Sequence, residues 1–221
     1  MSMSLRVVVP PHPLIGHWLT VLRDRRTPSP LFASAMAELG RWLTYEACRD
    51  WLPHRRQPVE TPLAQTEGTV VDPEISLLAI PLLNQGLGLW QGAQPVLPAA
   101  VVAHAQLRSI PESETLALEG LPDQIGERVG VIVIDPVIGT GRRLITVLEA
   151  LERRGVSGER LRVITALAAS PGLKALGERF PQLTIYAACI DPDLDAQQRP
   201  LPGLGDVCVR LFGSTAQDCL G

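Results

Sequence analysis

Apolar positions in the first fifty residues recur at spacings of three and four. Leu31, Phe32, Ala35, Met36, Leu39, Trp42, Leu43 and Ala47 fall on one stripe, which predicts a helix from Ser29 to about Trp51. Ser29-Pro30 opens it with a capping residue followed by proline in the first turn. A shorter helix is predicted over His17–Arg26. Residues 53–73 hold four prolines and few apolar clusters, so they read as a long connection. From Ser76 the pattern changes to short runs that are apolar throughout: Leu77–Ile80, Val129–Ile134, Leu161–Leu167 and Leu183–Ile190, with Val101–Ala103 as a further candidate. Between them, Arg142–Arg154 carries Leu144, Ile145, Leu148 and Leu151 on one face and stops at Gly155, and Leu173–Phe180 forms a shorter helix. Wholly apolar strands alternating with helices predict an α/β fold. The expectation is one domain over residues 1–221, a mainly parallel sheet flanked by helices, with further helices at the N-terminus and strand 129–134 near the centre.

Ligands of such sheets bind beyond the carboxyl ends of the strands, so the turns after the strands carry the chemistry. After the first run come Gly86, Gly88 and Gly92, a loose pattern that suits either close helix packing or a dinucleotide phosphate. After Val129–Ile134 comes Asp135-Pro136-Val137-Ile138-Gly139-Thr140-Gly141. Asp135 can accept hydrogen bonds from sugar hydroxyls. Gly139, Thr140 and Gly141 can wrap a phosphate with backbone N–H groups and one hydroxyl, at the positive end of the following helix. No Gly-Lys-Ser/Thr follows, so this is not a Walker loop. After the fourth run, Asp191 precedes Arg199-Pro200-Leu201-Pro202-Gly203-Leu204-Gly205-Asp206. That Pro-Gly-x-Gly turn presents backbone donors and acceptors suited to the edge of a flat heterocycle, and it also suits a tight surface loop.

Composition narrows the partners. The 221 residues are 46% hydrophobic and 19% charged, with a net charge of −3. Disorder is excluded, and broad phosphate contact with nucleic acid is not expected. No apolar run approaches the ~20 residues of a membrane helix, and residues 1–13 carry no secretory-signal pattern. Cys48, Cys189, Cys208 and Cys219 show no C-x-x-C spacing, which predicts reduced thiols and a cytoplasmic protein. His12, His17, His54 and His104 show no zinc spacing. The apolar stripe with Trp18, Trp42, Trp51 and Trp90 is large for one chain and predicts a homodimer.

In order along nearly the whole chain, these segments resemble the uracil phosphoribosyltransferases. His12-Pro13-Leu14, Leu22-Arg23-Asp24 with Thr27, and Tyr45-Glu46-Ala47 look like N-terminal segments of that family. Pro81-Leu82-Leu83 with Gly86-Leu87-Gly88 is similar to its Pro-Ile-Leu-Arg-Ala-Gly-Leu-Gly turn. Asp135-Pro136 with Thr140-Gly141 is similar to its Asp-Pro-Met-Leu-Ala-Thr-Gly-Gly-Ser loop. Pro202-Gly203-Leu204-Gly205-Asp206 with Arg210-Leu211-Phe212-Gly213-Ser214 is similar to its C-terminal signature. The resemblance implies a type I phosphoribosyltransferase fold and a pyrimidine-salvage reaction: uracil and phosphoribosyl pyrophosphate give UMP and pyrophosphate. It implies Asp135 and Arg108 as catalytic residues. Phosphoribosyl pyrophosphate falls to Asp135, Pro136, Val137, Ile138, Gly139, Thr140, Gly141, Arg142, Arg143, Asn84, Arg108 and Asp206. Uracil falls to Pro200, Gly205, Asp206 and Val207. Mg²⁺ is expected to arrive with phosphoribosyl pyrophosphate, with no metal-ligand set on the protein, and the chain is expected to form a homodimer or higher homo-oligomer.

Departures from the family pattern cluster at the site. Asn84 and Gln85 stand where the family has Arg-Ala, Arg142-Arg143 where it has Gly-Ser, and Val207-Cys208-Val209 where it has Ala-Gly-Asp. The segment between Thr115 and Asp123 is also shorter. Two long cations at the loop mouth either replace the missing charge or block the loop. The alternative to the enzyme is a diverged, non-catalytic relative that binds a nucleotide, a sugar phosphate or a protein partner.

Overall fold

The computed structural model describes residues 4–72, 76–97, 99–109 and 116–213. Expectations that rest on Thr115, Ser214 or Cys219 lie outside them. The chain opens with strand β1 (Arg6–Val8) and two antiparallel helices, α1 (Pro13–Arg23) and α2 (Ser29–Cys48). A hairpin follows, β2 (His54–Glu60) with β3 (Gln65–Val71), and then β4 (Leu77–Pro81), α3 (Gly86–Ala93) and the short β5 (Val101–Val102). A second hairpin, β6 (Gln106–Ser109) with β7 (Leu116–Glu119), leads to β8 (Gly130–Ile134), β9 (Val137–Ile138) and α4 (Arg142–Glu152). The chain continues through β10 (Leu161–Ala169), α5 (Ser170–Arg179), β11 (Thr184–Asp191), β12 (Asp193–Leu194), β13 (Pro200–Leu201) and α6 (Val207–Phe212).

The main sheet runs β1-β11-β10-β8-β4-β5, with β9 pairing β10, and its pairings are parallel. The expected mainly parallel α/β fold is therefore present, with β8 inside the sheet and Asp135 just beyond its carboxyl end. Alternation along the strands splits the core in two. Ile132 and Ile134 face α1, α2 and α3, packing with Phe32, Met36 and Leu39. Val131 and Val133 face α4 and α5, packing with Leu144, Leu148 and Leu176. Both faces are covered, which is why these strands read as continuous apolar runs.

Glycines set how closely α2 and α3 approach. A β-carbon on Gly92 would lie 1.6 Å from the Ala37 carbonyl oxygen, and one on Gly40 would lie 2.0 Å from the Leu89 carbonyl oxygen. A β-carbon on Gly88 would lie 2.9 Å from the Met36 side chain and 3.0 Å from that of Leu211 on α6. The glycines after β4 thus serve packing, the plainer of the two readings open in the sequence.

Several boundaries differ from the sequence expectations. Helix α1 starts at Pro13, because His12 caps it: Leu14 N–H donates to His12 Nδ1 at 3.2 Å. It ends at Arg23, three residues before the expected Arg26. Helix α2 stops at Cys48, and Ser29 does not cap it; Pro28 holds the N-cap position and no side chain bonds there. Residues 54–71, read as a connection, form the β2–β3 hairpin, whose positions are nearly all solvent-facing. Pro58 fits there because a two-stranded ribbon leaves edge positions without a donor requirement. Helix α5 begins at Ser170, three residues before the expected start. The four tryptophans are used within the chain. Trp90 is buried in the core, and Trp18, Trp42 and Trp51 pack against it. Trp42 also stacks on His12, and Trp51 donates to the Glu159 carbonyl. The tryptophans are therefore accounted for within one chain.

Candidate active site

A cavity of about 260 Å³ opens at the carboxyl end of β8, beside the turn after β4. Its floor is the turn after β8. Pro136 is buried, and its carbonyl accepts from the Ala166 and Leu167 amides at 3.1 Å, which ties the turn to β10. Asp135 is 1% exposed and its backbone N–H donates to the Ile164 carbonyl. One carboxylate oxygen, Oδ1, is buried with no hydrogen-bond partner among the described residues. Burial pushes the Asp135 carboxyl above the usual aspartate range. The Arg143 guanidinium and the Val137 amide pull the other way without cancelling the effect. An unpartnered buried acceptor costs about 1–3 kcal/mol, and it persists at sites where a ligand supplies the missing donor.

The cavity wall continues through Val137, Ile138, Gly139, Thr140, Gly141, Arg142, Arg143 and Leu144. Gly141 sits at the N-cap of α4 with φ +81°, a left-handed conformation that favours glycine. No side chain caps that helix, so its first N–H groups and the positive end of its dipole face the loop. The Arg142 amide leans toward Thr140 Oγ1 at 3.4 Å. A β-carbon on Gly172 would lie 2.1 Å from the Gly139 carbonyl oxygen, so α5 presses directly on the loop backbone and holds its shape. Gln198, at φ +61°, and Arg199 close the other side, with Gln85 and Pro200. Three arginines against one carboxylate make this wall locally cationic in a chain of net charge −3. That pattern suits an anionic ligand.

The Pro200–Asp206 loop is clamped by residues that the sequence reading left without a role. The Asp191 side chain, 2% exposed, accepts from Arg23 Nη2 at 2.5 Å and from the Gly203 amide at 2.8 Å. Arg23 Nη1 donates to the Gly203 carbonyl at 3.2 Å. From the other side, Arg210 donates to the carbonyls of Leu22, Leu204 and Asp24, and its guanidinium lies 4.1 Å above the Phe32 ring. Two arginines therefore fix a loop whose backbone, with left-handed Gly203 and Gly205, would otherwise be free to move.

The cavity brings together Asp135, Val137, Ile138, Gly139, Thr140, Gly141, Arg142, Arg143 and Pro200. The other expected site residues stand outside its wall. Asn84 is exposed beside Gln85; burial pushes the Cys208 thiol above its ordinary range. Asp206 caps α6, its Oδ1 accepting from the Val209 amide at 3.0 Å. Val207 turns into the hydrophobic core at 2% exposure, so its added bulk does not fill the cavity. Gly205 belongs to the clamped loop. Arg108 projects from the β6–β7 hairpin, exposed, beside Glu119 at 3.9 Å and Gln106 at 3.3 Å. A second cavity of about 190 Å³ lies at the opposite end of the sheet, against Arg179. That arginine is already occupied by Glu149 and Glu152.

The sequence profile of the family described as "Uracil phosphoribosyltransferase" matches residues 9–214, a span that contains every residue of the cavity wall. This chain belongs to the uracil phosphoribosyltransferase family. A uracil phosphoribosyltransferase of Synechococcus elongatus is 47% identical over 97% of this chain and 100% of its own length. One of Nicotiana tabacum is 40% identical over 94% of each. Among solved structures, the AQ2163 protein of Aquifex aeolicus superposes with a TM-score of 0.82 at 28% identity, over 95% of this chain and 99% of that one.

Proposed function

We propose that this chain is a uracil phosphoribosyltransferase, making UMP and pyrophosphate from uracil and phosphoribosyl pyrophosphate. In that reaction the bond from the ribose anomeric carbon to the pyrophosphate oxygen breaks, and a bond to a uracil ring nitrogen forms as that nitrogen gives up its proton. Positive charge grows on the ribose and negative charge on the leaving group. Catalysis then rests on fixed anchors and prearranged charge.

The observation that carries the reading is the buried, unpartnered Asp135 Oδ1 beside the uncapped N-terminus of α4. A molecule with a hydroxyl donor next to a phosphate satisfies both at once. Asp135 would accept from the ribose hydroxyls. The backbone of Gly139–Gly141, the Thr140 hydroxyl and the first turn of α4 would take the 5′-phosphate. The Arg23–Asp191–Gly203 clamp would hold the Pro200–Asp206 backbone in one shape against the edge of the uracil ring. Among the described residues no group of three or more His, Cys, Asp or Glu side chains is placed to hold a metal ion. Mg²⁺ would be carried in on the pyrophosphate, since magnesium commonly binds through substrate phosphates and few protein ligands. Bound there, Mg²⁺ would neutralise charge on the leaving group; Asp135 is the carboxylate in the wall able to approach it.

We also propose self-association. Leu14 on α1 and Leu31 and Tyr45 on α2 are exposed at 41%, 45% and 62%, an apolar display that a second copy would cover. No helix among the described residues is long and apolar enough to cross a membrane. Cys48, Cys189 and Cys208 are free thiols, in keeping with a cytoplasmic site of action. The test is UMP formation by the purified chain from uracil, phosphoribosyl pyrophosphate and Mg²⁺, with Asp135→Ala alongside. Turnover by the parent and its loss in the variant are expected. Phosphoribosyl pyrophosphate binding without any UMP would instead favour the non-catalytic relative.

A further inference from the structure

Arg143 has a position that the 5′-phosphate site does not explain. It lies in the first turn of α4, and its side chain reaches back across the cavity. Its Nη2 donates to the Leu83 carbonyl, in the turn after β4, at 3.4 Å. The same guanidinium acts electrostatically on Asp135 and on Cys208. It therefore stands between the turn after β8, the turn after β4 and the start of α6. The other two cations of the wall are differently placed. Arg199 is paired with Asp195 at 2.8 Å, and Arg142 is exposed. Among the described residues Arg143 has no carboxylate within ion-pair distance, and its long bond to a neutral carbonyl leaves most of its donors unused. Asn84, next along the turn it touches, carries no charge. A half-buried guanidinium with free donors, facing a cavity next to a phosphate site, is a receptor for a second anionic group.

We propose that Arg143 binds the pyrophosphate group of phosphoribosyl pyrophosphate, its reach toward the Leu83 carbonyl setting it on the far side of the cavity from the Gly139–Gly141 backbone. The two anions of one ligand are thus divided. The loop amides take the 5′-phosphate, and the side chain at the start of α4 takes the pyrophosphate from the far side. This rests on the uracil phosphoribosyltransferase reading for the identity of the ligand, but the anion site itself is measured independently of turnover.

The experiment is calorimetric binding of two probes to the full chain: inorganic pyrophosphate with Mg²⁺, and UMP, which lacks the pyrophosphate group. Arg143→Met should weaken pyrophosphate binding by ten- to a hundredfold and UMP binding by less than threefold. Arg143→Lys should recover part of the loss, because it keeps the charge and not the fork. The double variant Asn84→Arg/Arg143→Met should recover pyrophosphate binding, since a guanidinium placed on the opposite turn refills the same space. Equal weakening for both probes, or no weakening for pyrophosphate, would overturn the division. So would a parent chain that does not bind pyrophosphate at all. If the pyrophosphate pattern holds while no UMP is ever formed, the Arg143 site stands and the enzymatic reading falls. If UMP forms at an unchanged pyrophosphate affinity in Arg143→Met, the reverse is true.

Discussion

Replacing Arg23 by methionine removes the charge and keeps the length of the side chain, so it isolates the clamp on the Pro200–Asp206 loop. In the parent, the Asp191 carboxylate is 2% exposed and takes its shortest bond, 2.5 Å, from Arg23. In the variant it keeps the Gly203 amide at 2.8 Å but loses the cation. Breaking a buried ion pair by deleting one partner costs about 3–5 kcal/mol. The Arg23 side chain is itself 25% exposed, so water screens part of the interaction, and the lower end, about 3 kcal/mol, is expected. Asp191→Asn alone leaves Arg23 able to turn to solvent and should cost less. The double variant removes the stranded charge and should be less damaged than the two single losses together, by about 1–3 kcal/mol. Urea unfolding at neutral pH of all four proteins closes this cycle. The KM for uracil should rise in Arg23→Met, because Gly203 and its neighbours lose their fixed position. A loss below about 1 kcal/mol with additive effects and an unchanged KM would show that the pair does not hold the loop.

Three further outcomes follow from the geometry. Gly141→Ala places a side chain at φ +81° and 3.0 Å from the Gly172 carbonyl oxygen; it should cost about 1 kcal/mol or more in thermal unfolding and weaken UMP binding by at least tenfold in calorimetry. Asp206→Ala removes the cap of α6 and should cost about 1 kcal/mol, while Asp206→Asn should be close to neutral in the same unfolding assay. Because burial raises the Asp135 carboxyl, ligand affinity held by its ionised form should fall as pH drops through a range above that of an ordinary aspartate. Free of ligand, the sign is opposite: ionising the buried carboxyl costs stability, and relative to Asp135→Asn the parent should gain stability as pH falls through that range. Affinity and unfolding titrated on both proteins check the two signs together.

The sheet and the phosphate turn were legible because burial on both faces forces runs such as Val129–Ile134 to be apolar, and an aspartate at the end of such a run breaks the pattern visibly. The β2–β3 hairpin was not, since almost no position in it is buried and it leaves no period for the eye to find. The start of α1 was missed because its cap is an imidazole, His12; α2 starts at Ser29 as read, but Pro28 without a capping side chain holds its N-cap position. Within the site, local motifs showed Asp135, Thr140 and the Pro-Gly turn. They could not show the Arg23–Asp191 pair, whose partners are 168 residues apart, nor that Arg210 spans the same loop. Gln198 and Arg199 looked like ordinary loop residues, and only the folded backbone turns them toward the cavity. Arg142 and Arg143, adjacent in sequence, go separate ways, one outward and one across the site.

The central claim is that Asp135 holds the ribose of a phosphoribosyl ligand, and thermal unfolding of the parent and Asp135→Asn, each with and without phosphoribosyl pyrophosphate and Mg²⁺ at fixed protein concentration, tests it most directly. A ligand at a hundred times its Kd stabilises by about 2.7 kcal/mol, and a tenfold weaker one loses about 1.4 kcal/mol of that. For a chain of this size that is a smaller rise in Tm by about 3–6 °C. The expected result is a variant that melts higher than the parent when free, because the unpartnered buried charge is gone, and that responds to the ligand by several degrees less. Equal ligand-induced rises in the two proteins would contradict it.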